Sequence, residues 1–552
     1  MRPSFNLVDE PWIPCLFAHG DTDELCLYDA LARAHEIQEI FDSSPLVVTA
    51  LHRLLLAILH RNFGPESLID WKKLWQRGCW DEVALCGYLN RWHHRFDLFH
   101  PDRPFYQVPE MKNDEGQPIQ KHPVHLLALE ASAGNNPTLF DHSLSTSPAN
   151  FTPARAARYL LARQGYSIGF GKSNPFYFKD SPLIRGISVL TLGDSLWETL
   201  ALNMVAYNAE RPIPRSGEDL PAWEKETLPK PNETGNPIRG YVDYLTWQSR
   251  RIHIFPEGNP AVVRWCQVQQ NLMLPEPPPL DPFKCHIPDK EKGWRPRGIV
   301  PERAVWRDSH TLFQAADQSL RPEVFDWACR IWKLRESGEI SAKATYGFLA
   351  VGIATDIGKA ANILLWRQER LPLPLAYLED EELLGRLKEV LDFAEDVNRI
   401  LELHLRVVAL TMLDPKADPE RHLRDIGIAI FKPEIGKRLS GAFFSTEVKN
   451  TLKSWSPDRL YFSQLEAPFR RLLVALPEDR NTDEDGDIEY GRNQLPQWGQ
   501  VLQQAALGAF DSIVNGLGGS PRALKAVAQV ESRFKAALAG KISEGGEHEA
   551  EE

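Results

Sequence analysis

The sequence lacks any uninterrupted run of the roughly 18 to 20 apolar residues that a membrane-spanning helix needs. Residues 1–30 also lack a basic, then apolar, leader and carry Asp9, Glu10 and Asp21 instead. Over 552 residues the chain is 43% hydrophobic and 25% charged, a balance typical of globular proteins, which excludes a disordered chain. We therefore expect a soluble, cytoplasmic protein with no membrane partner.

Cysteine is scarce, and its spacing argues against a metal site. The seven cysteines form an odd, scattered set without a CxxC pair, so reduced structural thiols are expected in preference to zinc ligands or disulfides. The histidines lack the spacing of a helical zinc site, and the HExxH, GxSxG, helicase and nuclease signatures are absent. We predict no metal and no cofactor, and an enzyme would have to use an arrangement that no motif reveals.

An excess of positive charge is missing as well. The chain has 63 basic and 75 acidic side chains, a formal charge of -12, whereas a protein that covers nucleic acid with its whole surface needs Lys and Arg to neutralise phosphates. A local patch is still compatible with this balance. Residues 151–310 contain 21 basic and 17 acidic side chains, so positive charge is concentrated in the middle of the chain.

Apolar spacing predicts a first part that mixes helices with strands and a second part that is helical. In the first part, the predicted helices span 45–62 and 155–163, and the predicted strands span 185–193 and 250–257. In the second part, helices are predicted near 383–401, 458–476, 493–516 and 524–538, with an irregular insertion at 412–457. The expected fold is an α+β N-terminal domain with long functional loops, followed by an all-α C-terminal four-helix bundle.

The proline pair in Leu371-Pro372-Leu373-Pro374 marks the predicted domain boundary, because it should end a helix that carries Trp366. We place a mixed α/β domain at 1–372 and the four-helix bundle at 373–543. Residues 544–552 are mostly glutamate and are predicted to form a disordered acidic tail.

A glycine-rich stretch from Gly165 to Ser173 comes within one residue of a phosphate-binding P-loop. Five residues separate Gly165 from the Gly-Lys-Ser end where a P-loop has four, and the preceding segment is helical in pattern instead of a strand. Two glycines beside Phe170 would let backbone approach a ligand closely, and Lys172 and Asn174 would supply a charge for phosphate and a polar edge for a base. A simple tight turn is an equally good interpretation, and a nucleotide-binding enzyme is a further alternative.

Two other loops concentrate polar and aromatic residues. Residues 134–142 (GNNPTLFDH) could present amides and an aromatic face to nucleic acid, or form a self-capped turn. Residues 281–297 carry Lys284, Lys290 and Lys292 on a proline-broken loop from which we expect them to reach out of the fold, although loop lysines are usually only solvated.

Five ordered blocks of the sequence resemble the CasA family, the large subunit of the type I-E CRISPR surveillance complex Cascade. They are residues 5–14, 134–142, 240–251, 293–308 and 366–374. The resemblance implies a non-catalytic subunit in antiviral defence that recognises the protospacer-adjacent motif in double-stranded DNA through the minor groove. It also implies that the subunit initiates strand separation and R-loop formation and helps recruit a helicase-nuclease. The implied partners are guide RNA, double-stranded target DNA, that nuclease, and the backbone, small and handle-capping subunits of Cascade.

The resemblance also assigns roles to individual residues. The loop that meets the guide end comprises Asn135, Asn136, Thr138, Leu139, Phe140 and His142. The motif-reading residues are Gly169, Phe170, Gly171, Lys172 and Asn174, with a lysine finger at Lys290, at Lys292 as second choice, or at Lys284. The strand-separating wedge comprises Thr355, Asp356, Ile357, Gly358 and Lys359, a segment without the glutamine of some members. A scaffold that binds only proteins is the remaining alternative function.

Overall fold

The computed structural model divides the chain into two compact units, Met1–Leu378 and Glu379–Glu552. The structure describes residues 3–109, 111–113, 116–130, 149–169, 171–173, 176–209, 212–227, 230–259, 261–291, 293–314, 319–343, 345–356, 362–414, 416–424, 445–482 and 488–547. The predicted boundary after residue 372 falls inside the last strand of the first unit, and the two units divide after Leu378.

The first unit contains helices of five to nineteen residues in its described part. They are α1 (Leu27–Ala32), α2 (Pro45–Phe63), α3 (Leu68–Arg77), α4 (Glu82–Trp92), α5 (Pro153–Gly165), α6 (Leu196–Asn203), α7 (Tyr241–Leu245), α8 (Ser309–Phe313) and α9 (Glu323–Glu336). The predicted helices at 45–62 and 155–163 are confirmed as α2 and α5, and each begins with a proline in its first turn.

Helix α2 is the central helix of the first unit. It is long and apolar enough to cross a bilayer, but 83% of the residues in that apolar window are buried inside the unit, as in the core helix of a soluble domain. It packs against α5 and α7 and also contacts α4, α6 and a strand. Burial of its leucines on every side explains why it can be more apolar than an amphipathic surface helix.

Among the residues that the structure describes, the strands of the first unit form three three-stranded sheets and two hairpins, and all their pairings are antiparallel. The strands are β1 (Ile13–Phe17), β2 (Thr22–Leu25), β3 (Ile37–Ile40), β4 (His122–Pro123), β5 (Lys172–Ser173), β6 (Phe176–Tyr177), β7 (Ser188–Leu192), β8 (Arg250–Glu257), β9 (Val262–Gln270), β10 (His286–Asp289), β11 (Gly293–Pro296), β12 (Thr345–Asp356) and β13 (Asn362–Pro374). The sheet orders are β2-β1-β3, β4-β9-β8 and β13-β12-β7, and the hairpins are β5-β6 and β10-β11. The predicted strands at 185–193 and 250–257 are confirmed as β7 and β8.

The segment around Trp366 is a strand, so the helix predicted there is wrong. It belongs to β13, which pairs along its length with β12 and lies at the edge of its sheet. Exposure alternates along this strand, with Leu364, Trp366, Gln368 and Arg370 on the outer positions. Arg, Gln and Glu are good helix formers in isolation, and on a solvated edge strand they conceal the two-residue period.

In its described part, the second unit contains five helices of ten residues or more and one hairpin. They are α10 (Glu381–Leu413), α11 (Thr446–Trp455), α12 (Pro457–Ala475), β14 (Arg480–Thr482), β15 (Ile488–Tyr490), α13 (Gln494–Gly516) and α14 (Pro521–Glu547). Helix α10 packs against α11, α12, α13 and α14, and α13 packs against α12 and α14. The core between them includes Val408, Phe510, Val530 and Phe534.

Three details of the second unit differ from the sequence-based expectation. The stretch 412–457 contains the regular helix α11, so it is not irregular throughout. Helix α14 continues to Glu547 and therefore includes the first residues of the predicted acidic tail, whereas 548–552 lie outside the described residues. Leu524, the first residue of the helix predicted near 524–538 from its apolar spacing, is 61% exposed and so does not belong to the buried face.

A buried charge cluster, Arg53, Tyr244, Asp281 and Lys284, joins α2 to the loop before β10. The guanidinium of Arg53 lies 3.4 Å from Oδ2 of Asp281, which also accepts the Tyr244 hydroxyl at 2.8 Å. Burial by itself would raise the pKa of Asp281. The charges of Arg53 and Lys284, together with hydrogen bonds from the Phe283 amide and the Tyr244 hydroxyl, outweigh burial and hold that pKa below its ordinary value. The carboxylate is thus the counterion of two buried cations.

Replacing Asp281 with Asn should lower the free energy of unfolding by about 3–5 kcal/mol, because two buried cations lose their counterion. Chemical denaturation measures this change. Lys73→Met is a matched control, since Lys73 forms an exposed pair with Asp70 in the same unit and should cost less than about 1 kcal/mol. Equal effects of the two substitutions would contradict the central role of the cluster.

Two histidines of α2 are buried in the core of the first unit. Burial lowers the pKa of His52 to about 4 and that of His60 to about 3. Nδ1 of His52 lies 2.8 Å from the Val48 carbonyl, whereas neither ring nitrogen of His60 has a hydrogen-bond partner within the described part of the chain. Both rings are therefore neutral in the folded protein near pH 7.

Acid should destabilise the first unit before its carboxylates are protonated. Because the folded-state pKa of His60 lies below the unfolded value of 6.5, the unfolded chain binds more protons between these values, and stability falls as pH falls below about 6.5. Each such histidine contributes about 1.4 kcal/mol per pH unit in that range. His60→Phe should remove one such contribution from a plot of unfolding free energy between pH 6 and 4.5, and an unchanged slope would refute this assignment.

Candidate nucleic-acid interface

Lys284 is a structural lysine. Its side chain is 2% exposed, and its ammonium donates to the carbonyl oxygens of Pro182 and Arg185. Burial lowers its pKa to about 8, an effect that the charge of Asp281 opposes. The expectation that Lys284 reaches out of the fold is therefore wrong, because its charge is used to hold a neighbouring backbone segment.

That segment, residues 180–187, is here called the central segment. On one side the amide of Ser181 donates to the carbonyl of Ser167 at 2.9 Å. On the other side the amide of Ile187 donates to the carbonyl of Arg297 at 2.9 Å. The central segment then continues into β7, which pairs with β12. Three regions that the sequence assigned to DNA recognition thus meet along one stretch of backbone.

The first region is the glycine hairpin, residues 168–179, which contains β5 and β6. Arg250, a buried residue of β8, donates to the carbonyl oxygens of both arms, at 3.0 Å to Ile168 and 2.7 Å to Lys179. The guanidinium also lies 5.0 Å from the centre of the Phe178 ring. Burial lowers the pKa of Arg250 well below its ordinary value, and the backbone carbonyls partly replace the lost water. Arg250 therefore fixes the base of the hairpin.

Gly169 is a glycine because backbone lies directly against it. A Cβ atom there would lie 2.6 Å from the amide nitrogen of Asp180 and 2.9 Å from Cα of Lys179, closer than real Cβ contacts. Its own amide donates to Oδ1 of Asp180 at 2.6 Å. The sequence suggested close approach to a ligand at this position, and the structure shows close approach to the other arm of the hairpin.

Lys172 and Tyr177 form an exposed pair on the glycine hairpin. They are directly opposite each other in the β5–β6 pairing, and Tyr177 is 65% exposed. A cation beside an exposed aromatic ring is a common arrangement for contacting phosphate and sugar or base edges. Sequence reasoning singled out Lys172 but missed Tyr177, because the pairing that brings them together was not predicted. Phe170 and Asn174 lie outside the described residues.

The second region is the lysine hairpin, residues 286–296, formed by β10 and β11. Asp289 pairs with Gly293, so Lys290 lies in the turn at the tip, where it is exposed. At the base, Gly186 of the central segment has a φ of +90°, and a Cβ atom there would lie 2.5 Å from Cβ of Pro296. The hairpin and the central segment are therefore in close contact. Lys292 lies outside the described residues.

The third region is the end of β12, where the predicted wedge begins. Oγ1 of Thr355 accepts a hydrogen bond of 2.7 Å from Nη1 of Arg185, a central-segment residue. Asp356 is the exposed last residue of the strand. Ile357, Gly358 and Lys359 lie outside the described residues, as does the whole predicted guide-end loop, namely Asn135, Asn136, Thr138, Leu139, Phe140 and His142.

The surroundings of the glycine hairpin do not favour nucleotide binding. A P-loop connects a strand to the N-terminus of a helix, so that free amides and the helix dipole face the phosphates. Here the stretch follows the C-terminal end of α5, Lys172 lies in a strand, and the amide of Gly169 is occupied by Asp180. The geometry is that of an exposed hairpin on a fixed base.

Comparison with known proteins identifies the family. The family model described as CRISPR-associated protein Cse1 matches residues 6–509 of this chain. The CRISPR-associated protein CasA/Cse1 of Thermus thermophilus is 30% identical over 558 residues, covering 98% of both chains. The chain belongs to the Cse1, or CasA, family. The family membership expected from the five sequence blocks is confirmed.

Solved structures share the fold of this Cse1 chain. The crystal structure of Thermus thermophilus CasA has a TM-score of 0.73 at 28% identity, covering 98% of this chain and 100% of that one. Cse1 from Acidimicrobium ferrooxidans has a TM-score of 0.78 at 23% identity, covering 99% and 100%. A chain from a CRISPR RNA-guided surveillance complex has a TM-score of 0.68 at 21% identity, covering 98% and 100%. The mixture of helix and sheet is thus a fold of Cse1 proteins.

Substituting Ala for Gly169 should loosen the glycine hairpin. The added Cβ must displace the backbone at Lys179 and Asp180, an overpacking that typically costs about 1–3 kcal/mol. We expect faster amide hydrogen exchange in peptides covering 165–180. Gly87→Ala is a control in open space on α4 and should leave that exchange unchanged. If amide exchange in the Gly169 variant is as slow as in the wild type, the backbone contact at Gly169 does not restrict the hairpin.

Proposed function

We propose that this Cse1 protein is the non-catalytic large subunit of a cytoplasmic CRISPR RNA-guided surveillance complex. It recognises the protospacer-adjacent motif in double-stranded DNA through the minor groove, initiates strand separation and R-loop formation, and helps recruit a helicase-nuclease. The observation that carries this proposal is the convergence of the glycine hairpin, the lysine hairpin and the end of β12 on the central segment. To act on one stretch of DNA, the groove contact, the phosphate contact and the strand-separating element must be held at fixed positions relative to one another.

The two compact units fit different parts of this function. The first is proposed as the α+β domain that meets the guide end through Asn135 to His142 and reads the motif. The second is proposed as a four-helix bundle of α10, α12, α13 and α14 that contacts neighbouring subunits and the target strand. The other partners are guide RNA and the backbone, small and handle-capping subunits, and the whole assembly serves antiviral defence.

The exposed groups are suited to a tolerant reading of the minor groove. That groove distinguishes mainly A·T from G·C pairs, so a narrow backbone hairpin with Lys172 and Tyr177 would read little sequence by itself. In RNA-guided systems the long sequence is read by pairing with the guide, and protein reads only a short motif. Lys290 on the second hairpin would add a phosphate contact, and the segment from Thr355 to Lys359 would open the first pairs.

Removing the exposed lysines should weaken motif-dependent binding by the reconstituted complex. Lys172→Ala and Lys290→Ala should each lower the slope of log affinity against log salt concentration by about 0.9, because each releases one phosphate contact. Gel shifts at several salt concentrations measure this slope on duplexes that differ only beside the guide-matched segment. Lys73→Ala, an exposed lysine on α3, is the charge-matched control and should not change it.

Two outcomes would contradict the proposed function. If both lysine variants keep the wild-type salt slope and motif preference, the two hairpins do not contact DNA. If Lys172→Ala instead abolishes saturable ATP binding while DNA binding is intact, the glycine hairpin serves a nucleotide.

A further inference from the structure

We propose that Arg185 couples motif reading to strand separation by joining the glycine hairpin to the base of the wedge. The three side chains Asp180, Arg185 and Thr355, here called the Arg185 bridge, form the connection. This inference rests on the proposed function and identifies positioning residues for it. Arg185 and Asp180 were not singled out from the sequence.

The bridge begins at the backbone of the glycine hairpin. Oδ1 of Asp180 accepts the amide of Gly169 at 2.6 Å. The same carboxylate pairs with Arg185, whose Nε donates to Oδ2 at 2.7 Å and whose Nη2 donates to Oδ1 at 3.3 Å. A displacement of Gly169 in a DNA groove would therefore move the Asp180 carboxylate, to which Arg185 is hydrogen-bonded at two points.

The bridge ends at β12. The remaining guanidinium nitrogen, Nη1, donates to Oγ1 of Thr355 at 2.7 Å. The β12–β13 pairing shifts register between Ala354 and Thr355, so the bridge reaches the strand where its regular ladder is interrupted. A planar guanidinium carries its donors in a rigid fork, so it can hold a carboxylate and a hydroxyl in one fixed geometry.

The backbone of Arg185 is fixed independently of its side chain. Lys284 of the buried charge cluster donates to the Arg185 carbonyl, so a displacement of Asp180 must be passed on by the Arg185 side chain and not by its backbone. The carboxylate of Asp180 and the guanidinium of Arg185 are about one-third exposed, at 35% and 33%. Water therefore screens the pair, and its effect should be positional more than stabilising.

The Arg185 bridge can be tested by measuring how fast the reconstituted complex opens the first base pairs beside the motif, using 2-aminopurine fluorescence in the duplex. Arg185→Gln and Thr355→Val should each slow opening about tenfold, and the double variant should be no slower than either single one, because both break the same connection. Arg91→Gln, on α4, is the matched control and should open the duplex at the wild-type rate. A target already mispaired beside the motif should restore full binding to both variants, which also shows that they are folded and assembled.

Three outcomes would overturn the bridge. The first is wild-type opening by Arg185→Gln or Thr355→Val while Lys172→Ala still impairs motif binding, which would leave the proposed function intact. The second is a double variant whose opening is slowed by the product of the two single-variant factors, which would mean that the two residues act independently. The third is failure of the mispaired target to restore binding, which would indicate general damage. If Lys172→Ala and Lys290→Ala also bind DNA like the wild type, the proposed function itself fails.

Discussion

The buried carboxylate of Asp281, which pairs with Arg53 and attracts the nearby charge of Lys284, is the constraint on which the first unit depends. Burying Lys284 alone would be costly, and its charge is tolerated because Asp281 lies in the same cluster and two backbone carbonyls accept hydrogen bonds from its ammonium. Those carbonyls belong to the central segment. The cluster therefore fixes the position of the backbone from which the glycine hairpin and β7 extend and against which the lysine hairpin packs.

Close backbone contacts also fix the two hairpins against the central segment. A side chain at Gly169 would collide with the backbone of Lys179 and Asp180, and one at Gly186 would collide with Pro296, so each glycine lets a hairpin lie directly against the central segment. Arg250 then holds both arms of the glycine hairpin from within the β8–β9 sheet. The charged groups that face water, Lys172 and Lys290, are carried on elements whose bases are fixed by buried ones. Because the exposed lysines are gathered on two hairpins, a chain with an overall charge of -12 can still present positive charge to DNA at one place.

Local patterns predicted the elements that local interactions determine. Helices α2 and α5 and strand β8 follow from apolar spacing, a leading proline and β-branched residues, all of which act over a few residues. Strand β13 was predicted as a helix because its pairing partner β12, not its own composition, makes it a strand. The burial of Lys284 and the contact between Arg185 and Thr355 depend on residues far apart in the chain, which no local pattern reveals.

The contacts between residues far apart in the chain, such as that between Arg185 and Thr355, matter because the minor groove itself distinguishes few base pairs. Because that groove carries a degenerate code, additional base contacts there add little specificity. The exact positions of the few contacts that are made therefore matter more. A lysine displaced by an ångström still attracts phosphate, since Coulomb attraction falls off gradually with distance. A backbone hairpin that must enter a groove about 6 Å wide tolerates a much smaller displacement. Rigid support by Arg250, Asp180 and Arg185 is thus the property that would distinguish a motif reader from a basic loop.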